Sequence, residues 1–333
     1  MNTPVIRFGG KTRLVPVLLT VLERLAPHVC YCEPFAGGAA LLFAKRPSTA
    51  EIIGDVDRAV YDFFRVLRDE RLHRELQREL TYTPWSREEM LHCARTWRST
   101  GDLLERVRCW FTVMRQSFTH ELEGADWWAS KAENQALRFA NAVDALEQAS
   151  QRLRRVQIEN RSFEHLLRAY DDERTLFYLD PAYMLEARVD GGYEDEMAAE
   201  QHELLLEMVL AAKGQVVLSG YHTPLYDSRL AHLPCIERTR ECAIHNSHVH
   251  KKSYRTECIW IKAHPYGLFS EFGAELFPGF AAEIAAATEE GWGGVRASEP
   301  GEEAETIAVE YENVHLRNFS VTWEDVSRRH DFL

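Results

Sequence analysis

The stretch FYLDPAYML, residues 177–185, ends an apolar run in Asp180 and Pro181 and sets Tyr183 two residues further on. Proline fixes its own φ near about −65°, so the pair offers one carboxylate and one constrained carbonyl at a strand end. The tyrosine adds a ring for stacking. Two acceptors beside a flat face suit a planar exocyclic amine such as that of a nucleobase. Taken alone, the tetrapeptide is more simply an Asp-Pro turn with a buried ring.

EPFAGG, residues 33–38, follows another short apolar run, and glycines there let a backbone approach a ligand closely. A nucleotide-like cofactor fits that place. Asp55 comes 17 residues after Gly38, at the end of the next apolar run. A carboxylate in that position can accept two hydrogen bonds from a ribose diol, while Asp57 reads as a helix cap. FGGKT, residues 8–12, looks like the end of a phosphate loop, but the pattern GxxxxGK[ST] needs glycine where this chain has Val5, so the match fails. Lys11, on its double-glycine turn, can instead meet the carboxylate of a cofactor's amino-acid end.

The elements that must hold these residues alternate. An apolar pattern at helical spacing runs from Leu14 to Leu25, then come strands at 29–33 and 50–55 and a helix from Asp57 to Arg68. Residues 71–152 break the rhythm with a helix-rich insertion that holds five of the eight tryptophans. Strands at 155–159, 175–180 and 215–220 resume it, with helices near 163–170 and 197–212. Runs at 235–240 and 253–262 have no helix between them and read as an antiparallel hairpin at one edge of the sheet. The class is α/β: a doubly wound, mostly parallel sheet with that edge hairpin and a helical insertion subdomain. The expected domains are 1–70 with 153–264 as a discontinuous core, 71–152 as the insertion, and 265–333 as an acidic extension in which TIAVEY, 306–311, is a strand candidate.

A net charge of −13 argues at first against a polyanionic partner, but residues 266–333 hold 14 Asp/Glu and 4 Lys/Arg. The remainder is therefore near neutrality. Seven cysteines without a CxxC pair fit neither a disulfide framework nor a zinc site and read as reduced thiols. The run HNSHVHKKSYR, 245–255, carries three histidines beside two lysines and reads as a phosphate-contacting loop, so no metal is expected. No apolar run approaches the roughly 18–20 residues a membrane span needs, and MNTPVIRFGGK lacks a signal-peptide core, so no membrane and a cytoplasmic location are expected.

Taken in order, FGGK at the N-terminus, EPFAGG, IIGDVD, IENRSF and DPAY, with RQSF (115–118), VVLSGY (216–221) and RTECIW (255–260), closely resemble the D12-class, Dam-type DNA adenine N6-methyltransferases. The similarity spans about Val5 to Lys262 and leaves the tail out. The resemblance implies a sheet of the S-adenosylmethionine-dependent methyltransferase type, S-adenosylmethionine as cofactor, and double-stranded DNA as partner. It implies that Phe8, Lys11, Glu33, Phe35, Gly37, Gly38, Asp55, Ser162, Phe163 and Asp180 bind the cofactor, and that Asp180, Pro181 and Tyr183 hold a flipped adenine for direct transfer to N6. It places target recognition in the insertion, where Arg95, Arg98 and Arg115 are candidate DNA contacts, and the 245–255 run offers Lys251, Lys252 and Arg255 as a second set. A monomer, with or without a cognate restriction endonuclease, is the expected state. Two departures stand out: the family often has glycine at Ala39 and mostly has proline at Ala182. A degenerate DNA- or cofactor-binding protein, or an amino-methyltransferase acting on RNA or on cytosine N4, are the competing readings.

Overall fold

Parallel strands covered on both faces are apolar throughout, because neither face meets water. The strands of the first of two compact units, formed by Met1–Val15 and Cys30–Leu166, follow this only in part: residues 31–33 and 51–54 are buried but include Glu33 and Glu51, and Gln157–Glu159 is partly exposed. In this unit β1 (Cys30–Glu33), β2 (Ala50–Gly54) and β3 (Gln157–Glu159) pair in parallel in the order β3-β2-β1, with Tyr31 opposite Glu51 and Gly54 opposite Glu159. The computed structural model describes residues 3–5, 10–117, 127–184, 197–241, 254–263 and 314–317.

Five helices of this unit start where short polar side chains accept the unpaired N–H groups of a first turn. α3 (Arg58–Arg68) is capped by Asp57, as its position led us to expect, and α4 (Glu70–Thr81) by Asp69. Ser86 caps α5 (Arg87–Thr96), Asp102 caps α6 (Leu103–Gln116) and Asn134 caps α7 (Gln135–Asp144), while α8 (Leu146–Leu153) follows after one residue. Together α4 to α8 make the helical insertion. It does not stand apart from the strands: Phe63 on α3 stacks on Phe111 of α6 at 5.8 Å between ring centroids and lies 5.4 Å from Trp110. Arg152 of α8 reaches back to both carboxylate oxygens of Glu51 on β2. α2 (Ala40–Ala44) follows the glycine turn.

The second unit comprises Pro16–Val29 and Leu167–Leu333. α1 (Val15–Arg24) and α9 (Phe163–Tyr170) run across the two boundaries. Its strands β4 (Thr175–Leu179), β5 (Gln215–Tyr221), β6 (Cys235–Glu241), β7 (Tyr254–Lys262) and β8 (Val314–Arg317) take the order β4-β5-β7-β6-β8. β4 and β5 are parallel and the remaining pairs antiparallel. α10 (Ala199–Ala211) carries the chain from β4 to β5, and α11 (Pro224–Arg229) from β5 to β6. The antiparallel hairpin is therefore where it was expected, but β6 is not its free edge. Val314–Arg317, from the acidic extension, pairs along Cys235–Arg238 and satisfies backbone groups that an edge strand would leave exposed. The strand candidate TIAVEY lies outside the described residues.

Candidate active site

In open α/β sheets ligands gather at the carboxyl ends of the strands. β1 ends in Glu33, which is 2% exposed, and its chain continues into a turn in which Gly37 adopts φ 48° and Ala39 φ 50°. A Cβ on Gly37 would meet nothing within 4 Å, so the turn opens on space there, whereas a Cβ on Gly38 would come 2.9 Å from the Val5 carbonyl oxygen. Gly37 thus presents bare backbone and Gly38 permits close packing. The Thr3 hydroxyl donates to the Gly38 carbonyl and ties the N-terminal segment to the turn.

Asp55, just past β2, holds the same turn from the other side. Its Oδ2 accepts the Gly37 N–H at 2.8 Å and its Oδ1 accepts the Asp57 N–H at 2.9 Å. A carboxylate is the type of acceptor that a ribose diol calls for. Asn160, just past β3, donates from Nδ2 to the Asp55 and Val56 carbonyls at 2.8 and 3.1 Å, which fixes the backbone that carries this acid. Phe35 and Phe163 stack at 5.4 Å with 28° between their planes. Ser162 precedes that ring and accepts the first turn of α9 through its carbonyl. Lys11 is buried at 6% exposure, and its carbonyl accepts the Leu14 and Val15 N–H groups where α1 begins.

The donors and acceptors of this unit suit S-adenosylmethionine: a buried cation and a buried carboxylate for an amino-acid end, a carboxylate for a ribose, aromatic rings for an adenine, and open space at Gly37. Of the expected cofactor residues in this unit, Phe8 lies outside the described residues, Lys11 lies just before α1, and the others lie on β1, on the turn after it, or just past β2 and β3.

In the second unit β4 delivers Asp180, half-buried, and Pro181 and Tyr183, both buried. The Tyr183 ring meets the Tyr221 ring edge-on at 4.5 Å between centroids, with Tyr221 closing β5. Next along the chain, His222 places Nδ1 2.5 Å from Asp227 of α11 and Nε2 3.3 Å from Glu237 of β6. Gly220 lies under Trp260, whose ring would be 3.0 Å from an added Cβ.

The arginines of the insertion fall into two groups. Arg108 bonds Glu105 and Glu89, which hold its guanidinium charged despite burial, and Arg106 faces the buried Asp62 at 3.4 Å. Arg95 is exposed on α5, Arg98 covers the Trp97 ring at 4.5 Å, and Arg87 covers Trp127 at 5.2 Å. Arg115, at the end of α6, packs on Phe111; burial and then the neighbouring Arg138 pull it down to about 10, so it stays charged at neutral pH. Lys251, Lys252 and the three histidines of 245–250 lie outside the described residues. Of Arg255 the backbone is described, opposite Arg240. Among the described residues no group of three or more His, Cys, Asp or Glu is placed to hold a metal, and no helix is long and apolar enough to cross a membrane.

Four residues were missed by inspection of the sequence: Thr3, Tyr31, Asn160 and Tyr221. Asn160 stands inside IENRSF and Tyr221 ends VVLSGY, so the motifs contained them, but their roles depend on which strand end lies opposite.

A glycine turn after the first strand and an acid after the second are features of the class of α/β proteins that bind nucleotide-type cofactors. The chain matches the family model of the D12 class N6 adenine-specific DNA methyltransferases over residues 8–241, and it belongs to that family. The family transfers a methyl group from S-adenosylmethionine to adenine N6 in DNA, and its fold is the α/β class expected from the alternation of elements. No curated protein matches the chain.

Proposed function

We propose that this chain is itself a competent adenine N6-methyltransferase, and that the residues named above divide the work. Lys11 and Glu33 hold the amino-acid end of S-adenosylmethionine, Phe35, Gly37 and Gly38 line its path, Asp55 receives the ribose hydroxyls, and Ser162 and Phe163 border the adenine; Asp180 touches the cofactor as well. When bound, S-adenosylmethionine supplies an activated methyl group on a positively charged sulfur. The observation that carries this reading is the Asp55 carboxylate clasping the turn at Gly37 while space remains open beside that glycine.

Asp180 and the Pro181 carbonyl accept the two N–H groups of the target amine. The lone pair of that nitrogen is delocalised into the adenine ring, which makes it a poor nucleophile. Two acceptors favour a more tetrahedral nitrogen, and the Asp180 carboxylate faces the positive charge that grows on it during transfer. Tyr183 stacks on the base and returns roughly 1–3 kcal/mol of the few lost on flipping it from the duplex.

For DNA, residues 71–152 act as the target-recognition region of a core formed by 1–70 and 153–264. Arg95, Arg98 and Arg115, with Lys251, Lys252 and Arg255, contact phosphate. Support comes from the insertion's division of labour: Arg106 and Arg108 are engaged with carboxylates of the fold, whereas Arg87 and Arg98 lie on tryptophan rings.

Expression in a host without adenine methylation, followed by single-molecule mapping of modified bases, tests the proposal. A reproducible N6-methyladenine motif that disappears with Asp180→Ala is expected. Unmodified DNA beside folded, cofactor-bound protein would refute it.

A further inference from the structure

Successive side chains on a strand point to opposite faces, so Tyr31 and Glu33 share one face of β1, and the parallel register puts Glu51 of β2 beside Tyr31. On that face the Tyr31 hydroxyl donates to Glu33 Oε2 at 3.0 Å. Tyr31 is fully buried, and the Lys45 ammonium sits 4.2 Å from the centre of its ring. Lys45 Nζ is 2.5 Å from Glu51 Oε1 and 3.0 Å from Ser48 Oγ, and Arg152 grips Glu51 through both its terminal nitrogens.

The chain of contacts has a direction. Glu51 receives two cations directly, and Arg152 and Lys45 hold it below the usual carboxylate range although burial alone would raise it. Lys45 is pulled down by burial, while its bond to Glu51 and the nearby charge of Glu33 act in the opposite direction. A cation over a tyrosine ring draws electron density from it and makes its hydroxyl a stronger donor. That donor ends on Glu33, the carboxylate at the rim of the glycine turn.

We propose that Tyr31 is a positioning residue: its hydroxyl, backed by Lys45, fixes the Glu33 carboxylate in the orientation that receives the α-ammonium group of the cofactor. The inference rests on the cofactor reading given above and names a residue that this reading did not include. A charge-assisted contact depends steeply on geometry, so a carboxylate held in one rotamer binds an ammonium better than one that must be ordered on binding.

The test is calorimetric binding of two ligands that differ in the group concerned. S-adenosylhomocysteine carries the α-ammonium, and 5′-methylthioadenosine keeps adenine and ribose but lacks the amino-acid end. Tyr31→Phe is expected to raise the Kd for S-adenosylhomocysteine about tenfold, the scale of one hydrogen bond to a charged group, and to leave that for methylthioadenosine unchanged. If Tyr31 acts through Glu33, Tyr31→Phe combined with Glu33→Gln binds no more weakly than Glu33→Gln alone. Equal weakening of both ligands marks a merely structural tyrosine and overturns the proposal, as does no weakening of either. Should Tyr31→Phe not fold, Glu33→Asp keeps the charge but draws the carboxylate back from the hydroxyl. It must show the same selective loss, and an undiminished preference for S-adenosylhomocysteine overturns the inference. Wild-type chain that binds neither ligand overturns the cofactor reading and the inference together; wild-type binding with an unselective Tyr31→Phe overturns the inference alone.

Discussion

At the ends of β1 and β2 the site side chains are tied to backbone and to one another: Gly37 to Asp55, Asp55 to Asp57, Asn160 to the Asp55 carbonyl, Tyr31 to Glu33. At the ends of β4 and β5 a ring pair stands beside polar contacts: Tyr183 meets Tyr221, and His222 lies against Asp227 and Glu237. On the function proposed above, the difference follows what each end has to hold. A cofactor with fixed charges and hydroxyls is best met by donors and acceptors set in advance, because their orientation then costs nothing on binding. A base taken from a duplex is met chiefly by stacking, which tolerates small shifts of the rings.

Substitutions can break that contrast. The largest effect is expected from Asp180→Ala, which removes an acceptor aimed at developing charge. Turnover should fall by a factor on the order of 10²–10³, measured by methyl incorporation into duplex DNA, while calorimetry finds S-adenosylhomocysteine binding weakened far less than turnover, because Asp180 is one of several proposed cofactor contacts. Comparable losses in both assays would mean that the two ends do not act separately. Gly38→Ala should be costly at the other end. The new methyl would lie 2.9 Å from the Val5 carbonyl oxygen, so something must shift. Overpacking of this kind costs about 1–3 kcal/mol, seen as a lowered denaturant midpoint and weakened cofactor binding.

Acid should also separate the regions. Glu51 has its folded pKa lowered by Arg152 and Lys45, so the stability it contributes is fully present above its unfolded value near 4.5 and is lost as pH falls through the lower, folded one. Glu51→Gln should therefore flatten the loss of stability below pH about 4.5, as followed by denaturant titration at a series of pH values. An unchanged acid limb would mean that other carboxylates dominate there.

Two milder substitutions sharpen the comparison by restoring residues common in the family. Ala182→Pro should raise turnover, because a following proline confines residue 181 to extended backbone and so aims its carbonyl; cofactor affinity should not change. Ala39→Gly should stabilise the chain slightly. Ala39 sits at φ 50°, where a side chain costs roughly 1 kcal/mol, so glycine there should raise the melting temperature by a few degrees.

Much of this was legible before the structure. Cys30–Glu33, Ala50–Gly54 and Thr175–Leu179 lie within the apolar runs that were read as strands, and Asp57 caps α3 as its place after Asp55 implied. Periodicity and cap chemistry are local, and so survive in a linear sequence. The strand pairing of Val314–Arg317 with Cys235–Arg238 was not legible, since a four-residue strand at an edge has too little pattern to declare its partner. Nor could the sequence separate Arg108, engaged with Glu89 and Glu105, from Arg87, lying over Trp127.

The sequence by itself determined which chemistry is available: an Asp-Pro-aromatic set after one strand, a glycine turn after another, an acid 17 residues past Gly38, and a lysine on a turn that is not a phosphate loop. Residue type and chain order settle that much, because they decide what a strand end can present. Tertiary structure alone decided how those groups are held. The clasp of Gly37 by Asp55, the pressure of Lys45 on the Tyr31 ring and the left-handed backbone at Ala39 join residues or fix angles through packing between elements. Such contacts depend on distances in space that no local pattern encodes.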